Sequence, residues 1–217
     1  MLRESILKRL DELHLEGMRS AYDEVFSMSQ KRGDTAEKVL LTLLEAEARE
    51  REVRSLRYRL GQARFPIQKE MEQYDFSEAQ VDETQIRRLY AGEFTVSHTN
   101  VIMIGGSGTG KTHLSIALGM ELLRQKKRVR FSGVVDLVNL LEQEKLSGKG
   151  GRTAEQLSRF DCVILDELGY LPFSRNGGQL LFHALSKLYE TTSVIVTTNL
   201  SFGDKQGAAE VRGVRFA

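Results

Sequence analysis

The sequence has few of the residues that mark a secreted or membrane-bound protein. Its 217 residues include a single cysteine, Cys162, which excludes a disulfide within one chain. There is no tryptophan, and no apolar run approaches the roughly 20 residues needed to cross a bilayer. From Met1 to Leu15, charged and apolar residues alternate, without the apolar stretch of a secretory signal. These absences predict a cytoplasmic protein with no membrane partner.

An excess of charge of one sign is also lacking. The chain has 31 Lys and Arg residues against 30 Asp and Glu residues, for a formal net charge of +1. Any contact with nucleic acid must therefore come from a local basic patch. Hydrophobic residues make up 41% of the chain, which supports a packed core, and the length suits one ordinary domain plus a smaller one. Cys162 lies in an apolar run, which favours a buried thiol over a catalytic one.

The pattern of apolar residues divides the chain into four parts. Residues 1–67 are a predicted all-α domain, whose second long helix runs from Ala36 to Gln62 before Phe65-Pro66 ends it. A connector at 68–98, an α/β core at 99–203 and a tail at 204–217 follow. In the core, predicted strands 101–104, 128–132, 160–165 and 193–198 alternate with helices 112–125, 134–146 and 177–190. This alternation predicts a parallel sheet with flanking helices.

Residues 105–112 read Gly-Gly-Ser-Gly-Thr-Gly-Lys-Thr, between an apolar strand pattern and a helical pattern. This spacing in this setting is that of the phosphate-binding loop of P-loop NTPases. Glycines permit positive φ angles, and the helix start supplies unpaired N–H groups to a phosphate. Lys111, predicted to be catalytic, would contact the β- and γ-phosphates of ATP, and the Thr112 hydroxyl would ligate Mg²⁺. The predicted nucleotide-binding residues are Gly105, Gly106, Ser107, Gly108, Thr109, Gly110, Lys111, Thr112 and His113.

Two later apolar runs end in polar residues that suit the same site. The run 161–165 leads into Asp166 and Glu167, the Walker B arrangement of P-loop enzymes. Asp166 is expected to hold Mg²⁺, and Glu167 to polarise the attacking water as a catalytic residue. The run 194–198 leads into Asn199, which fits a catalytic residue that orients water against the γ-phosphate. A solvated Asp-Glu turn and a plain strand-end cap are the alternatives for these two sites.

One local basic patch is present. The second long helix and the residues just after it carry Arg49, Arg51, Arg54, Arg57, Arg59 and Arg64, offset there by Glu50 and Glu52. Arg51 and Arg54 share a helical face with Tyr58. Such a stripe can neutralise DNA phosphates without reading the base sequence. We predict contacts to duplex DNA from Arg51, Arg54, Arg57, Arg59 and Arg64. A salt-bridged solvent face or a protein-binding face is the alternative.

Taken together, these segments resemble the IstB-like ATPases, which are AAA+ helper proteins of certain insertion sequences. The likeness runs through the phosphate loop, DCVILDELGY at 161–170, LPFS at 171–174, GGQLLF at 177–182 and TTNL at 197–200. It extends to LDELHLEGM at 10–18 and to the Glu- and Arg-rich stretch 44–59. The Walker motifs are shared with many ATPases, whereas the LGYLPFS and GGQLLF runs are more specific to this group.

The resemblance implies an ATPase that assembles on duplex DNA as an ATP-dependent homo-oligomer and directs or stimulates its cognate transposase. It also implies a later helical segment whose arginine acts on a neighbour's ATP, whereas residues 204–217 diverge from that pattern. We therefore expect ATP binding with slow hydrolysis. Residues 211–216 are a weak candidate for the family's last strand, because a glycine interrupts them.

Three alternatives stay open. A DnaC-type helicase loader would use the same ATPase core with a different client. A nucleotide- or DNA-binding module would lack turnover. A small-molecule kinase is disfavoured, because the sequence has no evident acceptor pocket or lid.

Overall fold

The computed structural model of the chain describes residues 2–77, 79, 81–169, 174–189, 191–199 and 214–215. By its internal contacts the chain divides into two compact units, residues 1–58 and 59–217. The division falls within the third helix, before the predicted domain boundary at residue 67. Most of the predicted tail 204–217 lies outside the described residues, as do Tyr170 to Phe173 and Leu200 of the family-like motifs.

The N-terminal unit is helical, as predicted. It contains α1 (Leu2–Glu12), α2 (Glu16–Arg32) and the greater part of α3 (Ala36–Ala63), the last within one residue of the predicted helix. Its core consists of Leu10, Met18, Tyr22 and Leu43, all buried. Leucine, methionine and tyrosine recur here at helical spacing, so one side of each helix is shielded from water.

The start of α2 is capped by a side chain from α3. Leu15, just before α2, provides no side-chain cap. Instead the Glu47 carboxylate, in a residue 5% exposed, accepts hydrogen bonds from the N–H groups of Gly17 at 2.8 Å and Met18 at 3.3 Å. Arg51 donates to the same carboxylate at 2.7 Å. Burial opposes the charged carboxylate, but these hydrogen bonds outweigh it, so the pKa of Glu47 is lowered.

We expect Glu47→Gln to destabilise the N-terminal unit by about 1.5–3 kcal/mol at pH 7, since charge-assisted hydrogen bonds in a buried place are weakened. A carboxyl whose folded pKa is lowered stabilises the fold above its unfolded pKa, near 4.3. That stabilisation is lost as the pH falls through the folded value. The difference in the free energy of unfolding between wild type and Glu47→Gln should therefore narrow below about pH 4. Denaturant unfolding at neutral and acidic pH measures this difference.

The matched control for this change is Glu45→Gln, an exposed glutamate on the same helix. It should leave the unfolding midpoint within about 0.5 kcal/mol of wild type, as exposed substitutions usually do. An equal loss in both variants, or a gap that stays constant with pH, would show that Glu47 does not act as a buried charged cap.

The second unit is built on a five-stranded parallel sheet, which confirms the predicted α/β class. The strands are β1 (Val101–Ile104), β2 (Val129–Gly133), β3 (Cys162–Leu168), β4 (Ser193–Thr198) and β5 (Val214–Arg215), in the order β2-β3-β4-β1-β5. β5 pairs with β1 inside the segment predicted to be a weak strand. Cys162 is fully buried, as predicted. Because β4 lies between β1 and β3, the ends of these three strands are neighbours.

Helices cover both faces of this sheet. They are α4 (Glu83–Tyr90), α5 (Lys111–Arg124), α6 (Val134–Leu146), α7 (Arg152–Leu157) and α8 (Arg175–Leu188), with 3₁₀ turns at Met71–Gln73 and Glu93–Thr95. Helices α6 to α8 form one core cluster with Val163 and Val194, while Ile164 approaches Gly119 of α5 on the other face. Helix α7 was not predicted, since six residues are too few to show a helical period.

None of the helices in the described part of the chain is long and apolar enough to cross a membrane.

Candidate nucleotide-binding site

The phosphate loop joins β1 to α5, as the sequence predicts. Gly110 precedes α5 with φ 82°, and Gly108 has φ 79°, so both positions suit glycine. The Lys111 ammonium donates to the Gly106 carbonyl at 2.6 Å and to the Thr109 hydroxyl at 3.3 Å. The Gly105 N–H donates to the Thr198 carbonyl of β4 at 3.2 Å. The loop is therefore closed on itself and anchored to the neighbouring strand at the start of a helix, where N–H groups lack helical partners.

A tyrosine from the predicted connector lies against this loop. The Tyr74 hydroxyl donates to the Thr109 carbonyl at 3.2 Å. A side chain at Gly110 would place its Cβ 2.5 Å from the Tyr74 ring, a second reason for glycine there. The His113 ring meets Tyr74 edge-on at 5.5 Å between centroids, and its Nε2 lies 2.9 Å from the Glu70 carbonyl oxygen. Burial raises the pKa of Tyr74. Nothing in the spacing of the motif pointed to this residue.

The two predicted magnesium ligands meet across the site. The Thr112 hydroxyl, in the first turn of α5, lies 3.0 and 3.1 Å from the two oxygens of the Asp166 carboxylate in β3. A hydroxyl and a carboxylate are hard oxygen ligands of the kind Mg²⁺ prefers, so the residues fit the ion. Among the described residues, no group of three or more His, Cys, Asp and Glu side chains is placed so that it could hold a metal ion.

Two opposing effects act on the pKa of Lys111 at this site. Burial lowers the pKa of Lys111, while the carboxylates of Asp166 and Glu167 act in the opposite direction. Asp166 is only 7% exposed, so its charge needs a partner nearby. The nearest hydrogen-bond partners of the Lys111 ammonium are atoms of the loop itself, and the two acids act on it through their charge.

The end of β3 carries a β-bulge that the sequence did not predict. Leu165 pairs with Val196 and Leu168 with Thr198, so that Asp166 and Glu167 together face the single residue Thr197. Glu167 has φ 65°, in the left-handed region that non-glycine residues seldom occupy. Sequence reasoning ended this strand at residue 165 because the apolar run stops there, whereas the strand continues to Leu168.

Two threonines of β4 hold this bulge. The Thr197 hydroxyl lies 2.5 Å from Asp166 Oδ1 and accepts the Glu167 N–H at 2.9 Å. The Thr198 hydroxyl donates to the Leu168 carbonyl at 2.6 Å. Sequence reasoning missed both residues, although two adjacent threonines at the end of an apolar strand were a visible signal. Asn199 follows them and is exposed at the end of β4, the strand between β1 and β3, and its role stays a prediction.

The arginines predicted to contact DNA fall into two groups. Three have partners within their own unit: Glu47 for Arg51 at 2.7 Å, Glu16 for Arg54 at 3.4 Å and the Leu123 carbonyl for Arg59 at 3.2 Å. Arg57 and Arg64 are exposed, and among the described residues neither has an acidic partner within 4.0 Å. The salt-bridged alternative thus applies to Arg51 and Arg54, and a DNA contact remains a prediction for all five.

A parallel sheet with a glycine-rich phosphate loop after β1, and an Asp-Glu pair at the end of a nearby strand, is the arrangement of the P-loop NTPase fold. Comparison with known sequences narrows this class. The sequence profile of the family described as IstB-like ATP binding protein matches residues 8–209. The chain belongs to this family, which confirms the resemblance seen in its motifs.

Two relatives illustrate the match. The insertion sequence IS21 putative ATP-binding protein of Pseudomonas aeruginosa is 35% identical over 196 residues, which are 90% of this chain and 74% of the relative. The insertion sequence IS5376 putative ATP-binding protein of Geobacillus stearothermophilus is 31% identical over 204 residues, which are 94% of this chain and 81% of the relative.

The fold is shared with a protein of known structure. AMPPCP-bound DnaA from Aquifex aeolicus superposes with a TM-score of 0.56 at 20% identity, over 65% of this chain and 45% of DnaA. At this level of identity the likeness concerns the fold alone. It confirms the predicted P-loop NTPase class for the second unit.

Proposed function

We propose that this protein binds ATP with Mg²⁺ at the phosphate loop and, in that state, assembles on duplex DNA in the cytoplasm as the helper of a transposase. The observation that carries the nucleotide part is the contact of Thr112 with Asp166 beside Lys111, which joins the two Walker motifs into one site. The insertion-sequence descriptions of both relatives support a client in transposition. They favour it over a helicase loader with the same core.

The residues of the site suggest how ATP would be held and hydrolysed. The Lys111 ammonium, now on the Gly106 carbonyl, would exchange that partner for the β- and γ-phosphate oxygens. Thr112 and Asp166 would hold Mg²⁺, which when bound neutralises charge on the phosphates. Glu167 would polarise the attacking water, and Asn199 would orient it against the γ-phosphate. The products are ADP and phosphate.

Assembly on DNA would follow from differential binding. If ATP binds more tightly to subunits placed side by side than to free subunits, mass action shifts the population toward the homo-oligomer. Arginines presented by successive subunits would then contact phosphates repeatedly along a duplex. Hydrolysis would remove the γ-phosphate and release the assembly.

The test is the binding of a labelled duplex, followed by fluorescence anisotropy, with and without Mg²⁺ and a non-hydrolysable ATP analogue. We expect tighter binding with the nucleotide, and larger complexes by sedimentation of the same samples. Binding that is indifferent to the nucleotide would contradict ATP-dependent assembly. The absence of duplex binding under both conditions would contradict the DNA-associated role.

Arg57 and Arg64 sharpen this test, because neither charge is already neutralised by an acidic partner among the described residues. We expect Arg57→Ala and Arg64→Ala, made singly, each to reduce the slope of log affinity against log salt concentration by about 0.9. The controls are Arg9→Ala and Arg159→Ala, which remove the same charge from exposed arginines paired with Glu12 and Glu155. If the slope is unchanged in the first two variants, these arginines do not contact DNA.

A further inference from the structure

The bulge in β3 leaves a backbone N–H group without its usual partner in the sheet. Where Asp166 and Glu167 together face Thr197, the regular ladder between β3 and β4 is interrupted. The Glu167 N–H therefore has no backbone partner in the ladder, and the Thr197 hydroxyl accepts it at 2.9 Å. The Glu167 N–H is part-buried, and leaving it without a partner would be costly, so this hydroxyl stabilises the bulge.

The same hydroxyl also contacts the first acid. Thr197 lies 2.5 Å from Asp166 Oδ1, and with the Glu167 N–H donating to it, the hydroxyl hydrogen is directed to this carboxylate. One oxygen atom therefore links the side chain of Asp166 to the backbone of Glu167. Thr197 is only 1% exposed, so its hydroxyl is shielded from water and makes both contacts within the protein.

We propose that Thr197 is the positioning residue for both acids of the site, and this inference rests on the proposed ATPase function. Its hydroxyl orients the Asp166 carboxylate toward Thr112. It also holds the Glu167 backbone at φ 65°, which sets the direction in which the Glu167 side chain leaves the strand. Thr197 acts through these two residues.

A near-isosteric substitution can remove the Thr197 hydroxyl and its two hydrogen bonds. Thr197→Val keeps the branched shape that suits a buried strand and removes only the hydroxyl, whereas Thr197→Ser keeps the hydroxyl. We expect Thr197→Val to lower kcat about 100-fold, the typical effect of a misplacement near 1 Å. Nucleotide affinity without Mg²⁺ should stay within about threefold of wild type, because the phosphate loop is untouched. Thr197→Ser should restore kcat to within about tenfold of wild type.

Two measurements test the positioning of Asp166 and Glu167 by Thr197 without relying on ATP turnover. The Mg²⁺ concentration needed for half-maximal binding of a fluorescent ATP analogue should rise about tenfold in Thr197→Val, because Asp166 loses its orienting contact. Hydrogen exchange of the Glu167 amide should accelerate in the same variant and not in Thr197→Ser.

The matched control is Thr95→Val, which removes a buried hydroxyl, bonded to the Gly92 carbonyl at 2.8 Å, from the same unit. Thr95→Val should lose about as much thermal stability as Thr197→Val, but it should keep the kcat and the Mg²⁺ requirement of wild type. The positioning role would be overturned if kcat fell equally in Thr197→Val and Thr95→Val. It would also be overturned if kcat fell as far in Thr197→Ser as in Thr197→Val. An unchanged Mg²⁺ requirement together with unchanged amide exchange would also overturn it. A wild-type protein that binds ATP but does not hydrolyse it would instead refute the ATPase proposal, and the two measurements without turnover would still decide the role of Thr197.

Discussion

Lys111→Ala is expected to reduce the affinity for Mg-ATP by roughly 30-fold or more, corresponding to about 2–5 kcal/mol for truncating one partner of a partly buried charge contact. Lys111 is the lysine of the phosphate loop, and its ammonium already lies within 2.6 Å of a loop carbonyl. Turnover should fall with binding, because the same charge would stabilise the transferring γ-phosphoryl group. Calorimetric titration with Mg-ATP measures the affinity.

The control for this variant is Lys149→Ala, an exposed lysine of the same unit. It should bind Mg-ATP like wild type, while circular dichroism confirms that both variants are folded. If Lys111→Ala retained wild-type affinity, the nucleotide would have to bind elsewhere. In that case the proposed function and its mechanism would both fail.

Glu167→Gln should separate binding from chemistry. We expect Mg-ATP binding to be retained and turnover to fall by about 10²–10⁴-fold, because an amide has the shape of the carboxyl but cannot take a proton from water. The backbone N–H that contacts Thr197 is unchanged by the substitution, so the bulge should stay intact. Phosphate release measures turnover, and the rise in thermal stability with Mg-ATP measures binding.

At a hundredfold excess of ligand over Kd, wild type and Glu167→Gln should each gain about 2.7 kcal/mol of stability. Glu155→Gln, at an exposed helical position of the same unit, serves as the control for turnover. Persistent turnover in Glu167→Gln would mean that another group activates the water. A wild-type protein that gains stability from Mg-ATP without hydrolysing it would favour the binding module that the sequence left open.

The match between sequence and structure is closest at the phosphate loop. Its function depends on a contiguous stretch, in which glycines permit the turn and Lys111 and Thr112 open the next helix, so local spacing carries the information. Asp166 and Glu167 were recognised for the same reason, since they follow an uninterrupted buried run. Their approach to Thr112 depends on strand order, which local pattern does not report and which the structure supplied.

The predictions were weakest where a residue acts through a distant partner. Tyr74 reaches the phosphate loop from a segment that the sequence shows only as a connector, and Glu47 caps a helix through Gly17, 30 residues earlier in the chain. The arginine stripe shows the same difficulty. Helical spacing placed Arg51 and Arg54 on one face. Glu47 pairs with Arg51 from one turn away on the same helix, whereas only tertiary packing brought Glu16 of α2 to Arg54.

Sequence alone therefore determined the family, the α/β class of the second unit and the loop that would hold a triphosphate. Each of these follows from short-range spacing that backbone geometry imposes. Tertiary structure alone decided the order of the strands, the bulge at Glu167 and the hydroxyl of Thr197 that holds it. These depend on which strands become neighbours, and that choice is made by burial across the whole sheet rather than by adjacent residues.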